Sequence, residues 1–202
     1  EKNGIKFCIS LPKRCSSEYL YIKKVVEEGL LGEITYARVR NAHNGAIAGW
    51  LPDHFYDPAA CGGGAMMDLG AHPMYLLGGL FGLPAAITSV FTSVTGKAVE
   101  DNCISILRFG NLIASSETGF VSQNDPFMLE IAGAKGNLRW GGEKGKLLIN
   151  TGNGFTEPTD SPKPLPMPVA QWVNGILYGD EITLGINDAM QLRRRMEAAY
   201  QS

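Results

Sequence analysis

Six short segments rich in Val, Ile, Leu and Phe succeed one another between positions 86 and 149, and this run constrains the fold more than any other feature. They cover 86–94, 103–109, 112–121, 127–132, 138–140 and 147–149, with Gly, Asn and Asp between them. Gly110-Asn111 and Gly133-Ala134-Lys135-Gly136 are compact enough to turn hairpins. Strands joined by short turns pair antiparallel, and helices lying outside such a run gather apart from it. The expected class is α+β, an open, mostly antiparallel sheet with helices on one face. The other face is left to solvent or to another subunit.

The flanks fit that class. Residues 5–11 (IKFCISL) read as a buried strand. Ser16 or Ser17 caps a helix whose apolar positions Tyr19, Leu20, Ile22, Val25, Val26 and Leu30 keep helical spacing until Gly29 and Gly32 end it. Residues 34–40 (ITYARVR) read as a strand, and 41–64 as irregular, with Asn44-Gly45, Pro52, Asp57-Pro58 and three consecutive glycines. An apolar helix is expected over 65–80, with Pro73 bending it or lying near its start. After prolines at 158, 162, 164, 166 and 168, two helices close the chain, over 169–178 and 187–200, the second with Asn187 as cap.

Charge narrows the partners. The chain has 18 Lys and Arg against 20 Asp and Glu, a net charge of −2, and no basic cluster beyond Arg193-Arg194-Arg195, so no nucleic-acid surface is expected. The apolar stretch 74–83 is far below the ~18 residues of a membrane span, so no membrane partner is expected either. Charged residues make up 19%, below the usual ~25%, which suggests that more surface than normal is covered. Cys8, Cys15, Cys61 and Cys103 form no C-x-x-C, and four scattered thiols fit a reduced, cytoplasmic protein.

No G-x-G-x-x-G, Walker-type Gly-Lys-Ser/Thr or G-x-S-x-G is present. The chemically dense stretch is Cys61-Gly62-Gly63-Gly64-Ala65-Met66-Met67-Asp68-Leu69-Gly70-Ala71-His72-Pro73. On one helix, Asp68 and His72 share a face with Cβ atoms roughly 5–6 Å apart. A carboxylate beside an imidazole fixes its tautomer and orientation, which suits general acid–base work on a hydroxyl or carbonyl. The glycines clear side chains from a helix N-terminus that a flat ligand could approach. The plainer alternatives are a surface ion pair and a flexible loop. A metal would need His43, His54 or Cys61 as third ligand, and no ligand spacing supports one.

G-G-G-x-x-x-D-x-G-x-H resembles the signature of the Gfo/Idh/MocA oxidoreductases, the glucose–fructose oxidoreductase and inositol dehydrogenase family. Other stretches resemble the family in the same order: Gly29-Leu30-Leu31-Gly32-Glu33-Ile34, Phe81-Gly82-Leu83-Pro84, Glu100-Asp101, Gly133-Ala134-Lys135-Gly136, Asn187-Asp188 and Ala199-Tyr200-Gln201-Ser202. The resemblance covers essentially the whole chain and implies the C-terminal substrate and oligomerisation domain of an oxidoreductase. That enzyme would pass hydride between NAD or NADP and a sugar, polyol or similar hydroxy compound.

By the same resemblance, Asp68 and His72 are the catalytic pair, and Arg14, Trp50 and Asp53 face substrate. Gly62, Gly63 and Gly64 lie toward the cofactor, which a nucleotide-binding domain not contained in this sequence would mainly hold. Residues 1–12 would be the remnant of that domain's last strand, and 13–202 the C-terminal domain. Glu1-Lys2-Asn3 lacks the proline of the family's E-K-P, so Lys2 is not the family's catalytic lysine. Tyr75 stands where the family often has an acid three residues after the signature His. The family implies a homodimer through the open sheet face, and a fragment that is inactive by itself. The alternative is a non-catalytic homologue that binds a ligand or dimerises.

Overall fold

Local chemistry places the first elements of this computed structural model, which describes residues 4–123, 127–142 and 145–202. Glu1 and Lys2 lie outside them. Ser16 Oγ accepts the Tyr19 N–H and starts α1 (Ser17–Glu27), and Gly29, at φ +67°, turns the chain away from its end. Strand β1 (Ile34–Ala42) follows. The loop behind it is less irregular than its sequence suggests, for it holds α2 (Gly45–Ala48), a 3-10 turn Asp53–Tyr56 and α3 (Pro58–Cys61).

The apolar helix expected over 65–80 is two helices, α4 (Ala65–Asp68) and α5 (Ala71–Phe81). Pro73 has no N–H to give to Leu69 O, so that carbonyl accepts from His72 N–H at 3.1 Å and Asn41 Nδ2 at 3.4 Å. Gly70 lets the turn close, since a Cβ there would lie 2.4 Å from Met66 Sδ.

The six later strands are β2 (Ala86–Thr92), β3 (Asn102–Phe109), β4 (Leu112–Gly119), β5 (Phe127–Gly133), β6 (Gly136–Gly141) and β7 (Lys146–Asn150). Both expected hairpins form, with Phe109 facing Leu112 and Gly133 facing Gly136. The sheet order is β2-β3-β4-β1-β5-β6-β7. Every pairing is antiparallel except β1 with β4, which run parallel from Tyr36–Ile113 to Ala42–Gly119.

One face buries Ala37, Val39, Leu107, Ala114, Leu129, Ile131 and Leu138 in the core shared with α1 and α5. Helices α6 (Pro168–Leu177) and α7 (Ile186–Gln201) end the chain, and α7 packs on α5 and β2. The opposite face is open. Arg38 makes a two-point contact with Glu117 (2.7 and 2.9 Å) there, while Val90, Ile104, Ile106, Ile113 and Tyr36 stand exposed beside it.

Two more expectations change. Residues 5–11 join no strand; Ile9 N–H donates to Leu184 O, and Ile5 is 73% exposed. An extended segment becomes a strand only beside another, and the described residues offer none there. Asn187 does not cap α7; Gly185 is the cap residue, and Asp188 Oδ2 accepts its N–H at 3.0 Å.

Candidate active site

Side chains with chemical potential collect where the parallel strands end, the usual place for a site in sheets with parallel pairs. β1 leads into His43 and β4 into Phe120; His43 N–H donates to Gly119 O, and Ser122 N–H donates to His43 O. The His43 ring stacks on Phe120 with centroids 5.1 Å apart and meets Trp50 at 4.6 Å. Its Nδ1 accepts the Gly45 N–H, and a Cβ on Gly45 would lie 2.9 Å from the Trp50 ring. Trp50 is 56% exposed, an aromatic surface at the mouth of the site.

Asp68 and His72 come from separate helices, so the expected pairing on one helical face does not form. Among the described residues Asp68 makes no hydrogen bond or ion pair with His72. The partner of His72 is Tyr75, whose hydroxyl lies 3.0 Å from Nδ1. Asp68 acts at longer range. Desolvation raises its pKa, opposed by His43 first and His72 second. Burial, then Lys13, lowers the pKa of His72, with Asp68 pulling the other way. Burial also lowers His43, again opposed by Asp68.

Lys13 reaches the site from the 3-10 turn Pro12–Cys15, its ammonium 3.7 Å from the centroid of the Phe127 ring. Burial lowers its pKa too. Sequence reading missed Lys13, took Tyr75 only as a departure from the family's acid, and considered His43 only as a metal ligand. The sole signal was the spacing of Tyr75, three residues after His72.

The other candidates divide. Arg14 Nη1 is held 2.5 Å from Asp188 Oδ1. Asp53 is exposed at the start of its 3-10 turn. The glycine triplet is filled by the chain itself: a Cβ on Gly63 would lie 2.3 Å from Tyr200 Oη, and one on Gly64 2.0 Å from Glu100 O. Gly62, exposed at φ +76°, ends α3. Gly63 and Gly64 thus leave no open cradle for a flat ligand.

The hub beside them is Glu100. Its Oε1 accepts the Gly64 and Met66 N–H groups, each at 3.0 Å, and the Tyr200 hydroxyl at 2.7 Å. Among the described residues no three His, Cys, Asp or Glu side chains converge on a metal position. Cys61 Sγ donates instead to His54 O, and His43 is committed to Gly45 and its aromatic neighbours. All four cysteines are free thiols, and no described helix is long and apolar enough to cross a membrane.

Comparison with known proteins gives this geometry a family. No curated protein sequence matches the chain. Solved structures do, among them an NAD binding oxidoreductase from Klebsiella pneumoniae (TM-score 0.84, 18% identity, covering 100% of this chain and 65% of that one). An aldose-aldose oxidoreductase from Caulobacter crescentus complexed with glycerol gives 0.82 and 22%, covering 99% and 62%. A levoglucosan dehydrogenase in complex with NADH and L-sorbose gives 0.80 and 19%, covering 95% and 62%. At such identities the likeness is one of fold. The chain spans 62–65% of the length of these structures. A family model described as the GFO/IDH/MocA C-terminal domain matches residues 19–139, more than half of the sequence, and the chain belongs to that family.

Proposed function

We propose that this chain is the substrate-side domain of an NAD(P)-dependent oxidoreductase acting on a sugar, polyol or similar hydroxy compound, with His72 as its acid–base residue. The observation that carries this reading is His72 itself: half-buried, gripped at Nδ1 by Tyr75, with its pKa lowered. The nicotinamide, when bound, supplies the hydride acceptor or donor. The chain's part is the proton. With Nδ1–H donating to Tyr75 Oη, Nε2 carries the lone pair that takes a substrate O–H proton as the carbinol C–H leaves as hydride. In reduction the imidazolium returns that proton to the new alkoxide. Asp68, whose charge acts on both His43 and His72, favours the cation without touching it. Trp50 offers an aromatic face for a sugar ring, with Asp53 on the same loop.

The sign of the His72 shift fixes the pH dependence. A pKa below the ordinary ~6.5 keeps the imidazole neutral through pH 7 and into mild acid. kcat/KM for alcohol oxidation by the full-length protein is expected to be level above pH ~6.5, falling only below it. Tyr75→Phe removes the Nδ1 partner, and kcat is expected to fall about ten-fold, the equivalent of one ~1.4 kcal/mol hydrogen bond, with KM little changed. An unchanged kcat would remove Tyr75 from the mechanism.

The rest of the proposal concerns surroundings. Residues 1–12 are assigned to a nucleotide-binding unit that holds most of NAD or NADP, and the 3-10 turn Pro12–Cys15 marks where the substrate-side domain takes over. That unit covers Ile5, Phe7 and the exposed stripe Val169, Trp172, Val173, Ile176 of α6. The open sheet face forms a homodimer. Val90 faces Ile104 across the β2–β3 ladder, Ile113 lies diagonal to Ile106, and Tyr36 pairs with Ile113, so the exposed apolar side chains are contiguous. Sedimentation equilibrium should show a dimer, and Ile104→Glu with Ile106→Glu a folded monomer; a monomeric wild type would reject this interface. The four free thiols favour the cytoplasm.

A further inference from the structure

Helix α5 carries Gly78-Gly79 on the side facing α1 and α7, and both glycines make room for large polar groups. A Cβ on Gly78 would lie 2.1 Å from the guanidinium carbon of Arg195, and one on Gly79 2.2 Å from Tyr19 Oη and 3.2 Å from Arg14 Nε. The result is a cavity of about 190 Å³ lined by Leu11, Arg14, Tyr75, Gly78, Gly79, Asp188, Gln191 and Arg195. It is rich in donors and poor in acceptors. Arg195 is 4% exposed, and its Nη2 donates to Gly82 O (3.2 Å) and Gln191 Oε1 (3.1 Å). Its Nε is one of two buried side-chain N or O atoms without a hydrogen-bond partner among the described residues.

The carboxylate in the cavity wall is Asp188, and it is already engaged. Oδ1 accepts from Arg14 Nη1 and Oδ2 from the Gly185 N–H. Two guanidiniums against one carboxylate leave one positive charge uncompensated beside an unpartnered N–H. Burial and then Arg14 act against the charge on Arg195, with Asp188 and Tyr19 opposing. A buried, unpaired cation costs several kcal/mol unless something neutralises it. Guanidinium forks match the oxygens of carboxylate and phosphate. The volume exceeds the ~30 Å³ share of one water several-fold, which is room for a small oxyanion with a water or two.

We propose that this cavity is a binding site for a small oxyanion, a carboxylate or a phosphate, seated between Arg195 and Arg14 with the Gln191 amide as a further donor. The site is separate from hydride transfer, although Tyr75 lines it and also holds His72. Its test needs no turnover, so it stands independently of the oxidoreductase reading.

The experiment titrates inorganic phosphate and, separately, acetate against this chain at constant ionic strength held with sodium chloride, following thermal unfolding and calorimetric heat. One of the two is expected to raise Tm saturably, by about 3–6 °C at ten times its Kd. Phosphate alone acting assigns a tetrahedral anion, and acetate alone a carboxylate. Arg195→Met, which keeps much of the stem's volume, is expected to abolish the response, and Gln191→Leu to weaken it. If Arg195→Met does not fold, wild-type calorimetry and Gln191→Leu decide. No saturable response to either anion in the wild type would overturn the site, leaving a cavity that holds water only. So would equal responses in wild type and Gln191→Leu when Arg195→Met either responds equally or fails to fold.

Discussion

His72→Asn in the full-length protein is expected to lower kcat by about 10²–10⁴-fold, the usual contribution of a positioned acid–base group. Asparagine is chosen because its amide can reach the position of Nδ1 and keep a hydrogen bond to Tyr75, so the turn between α4 and α5 retains its packing. What it loses is Nε2, the atom left to face substrate once Nδ1 is engaged. KM should change far less than kcat, because the proton moves only in the transition state. Stopped-flow or steady-state nicotinamide absorbance measures the loss, and circular dichroism checks the fold. Full activity in His72→Asn would sink the assignment. A parent inert toward polyols and sugars before any substitution would favour the module that binds or dimerises without turnover.

Gly64→Ala is the stability counterpart, expected to cost about 2–4 kcal/mol and about 5–15 °C in Tm. The added methyl would lie 2.0 Å from Glu100 O and 2.9 Å from Val99 Cγ2. Glu100 O cannot retreat freely, because it accepts the Ala65 N–H at 2.9 Å. The same residue's carboxylate holds Gly64, Met66 and Tyr200, so a displaced α4 loosens four hydrogen bonds together. Gly62→Ala is the control. It meets only Met67 Cε at 3.7 Å, and its φ of +76° costs a non-glycine about 1 kcal/mol. Equal losses in the two variants, by urea or thermal unfolding, would show that the close approach to Glu100 is not what demands glycine at 64.

Much of the fold was legible because period and turn chemistry act locally. The hairpins at Gly110-Asn111 and 133–136 fall where their turn residues lie, and Ser16 caps α1 as its side chain allows. The misses are of another kind. Residues 5–11 have strand composition without a strand to pair with, and a composition carries no neighbour. The break between α4 and α5 turns on Pro73 withholding one N–H from Leu69 O while Gly70 closes on Met66.

The site follows the same division. Asp68 and His72 stood out in the sequence, but the pairing inferred from their spacing assumed one helix. Tyr75 looked like the absence of an acid; in the structure its hydroxyl is what His72 Nδ1 meets. Lys13 and His43 come near Asp68 and His72 only through tertiary packing, which no local pattern reports. The glycine triplet looked like space for a ligand because sequence shows a missing side chain and never what fills the gap.

The parallel seam between β1 and β4 has a consequence for when this site can exist. The β3–β4 and β5–β6 hairpins close over two-residue loops, whereas the seam joins segments with α2 through α5 and two further strands between them. Its pairing carries the larger loop-closure entropy, and neither sheet half can make it alone. His43 and Phe120, on which the mouth is built, belong to opposite sides of that seam. A chain with every hairpin intact but the seam open has no His43–Phe120 stack to form the mouth. The mouth of the site therefore depends on a long-range pairing and on no single hairpin.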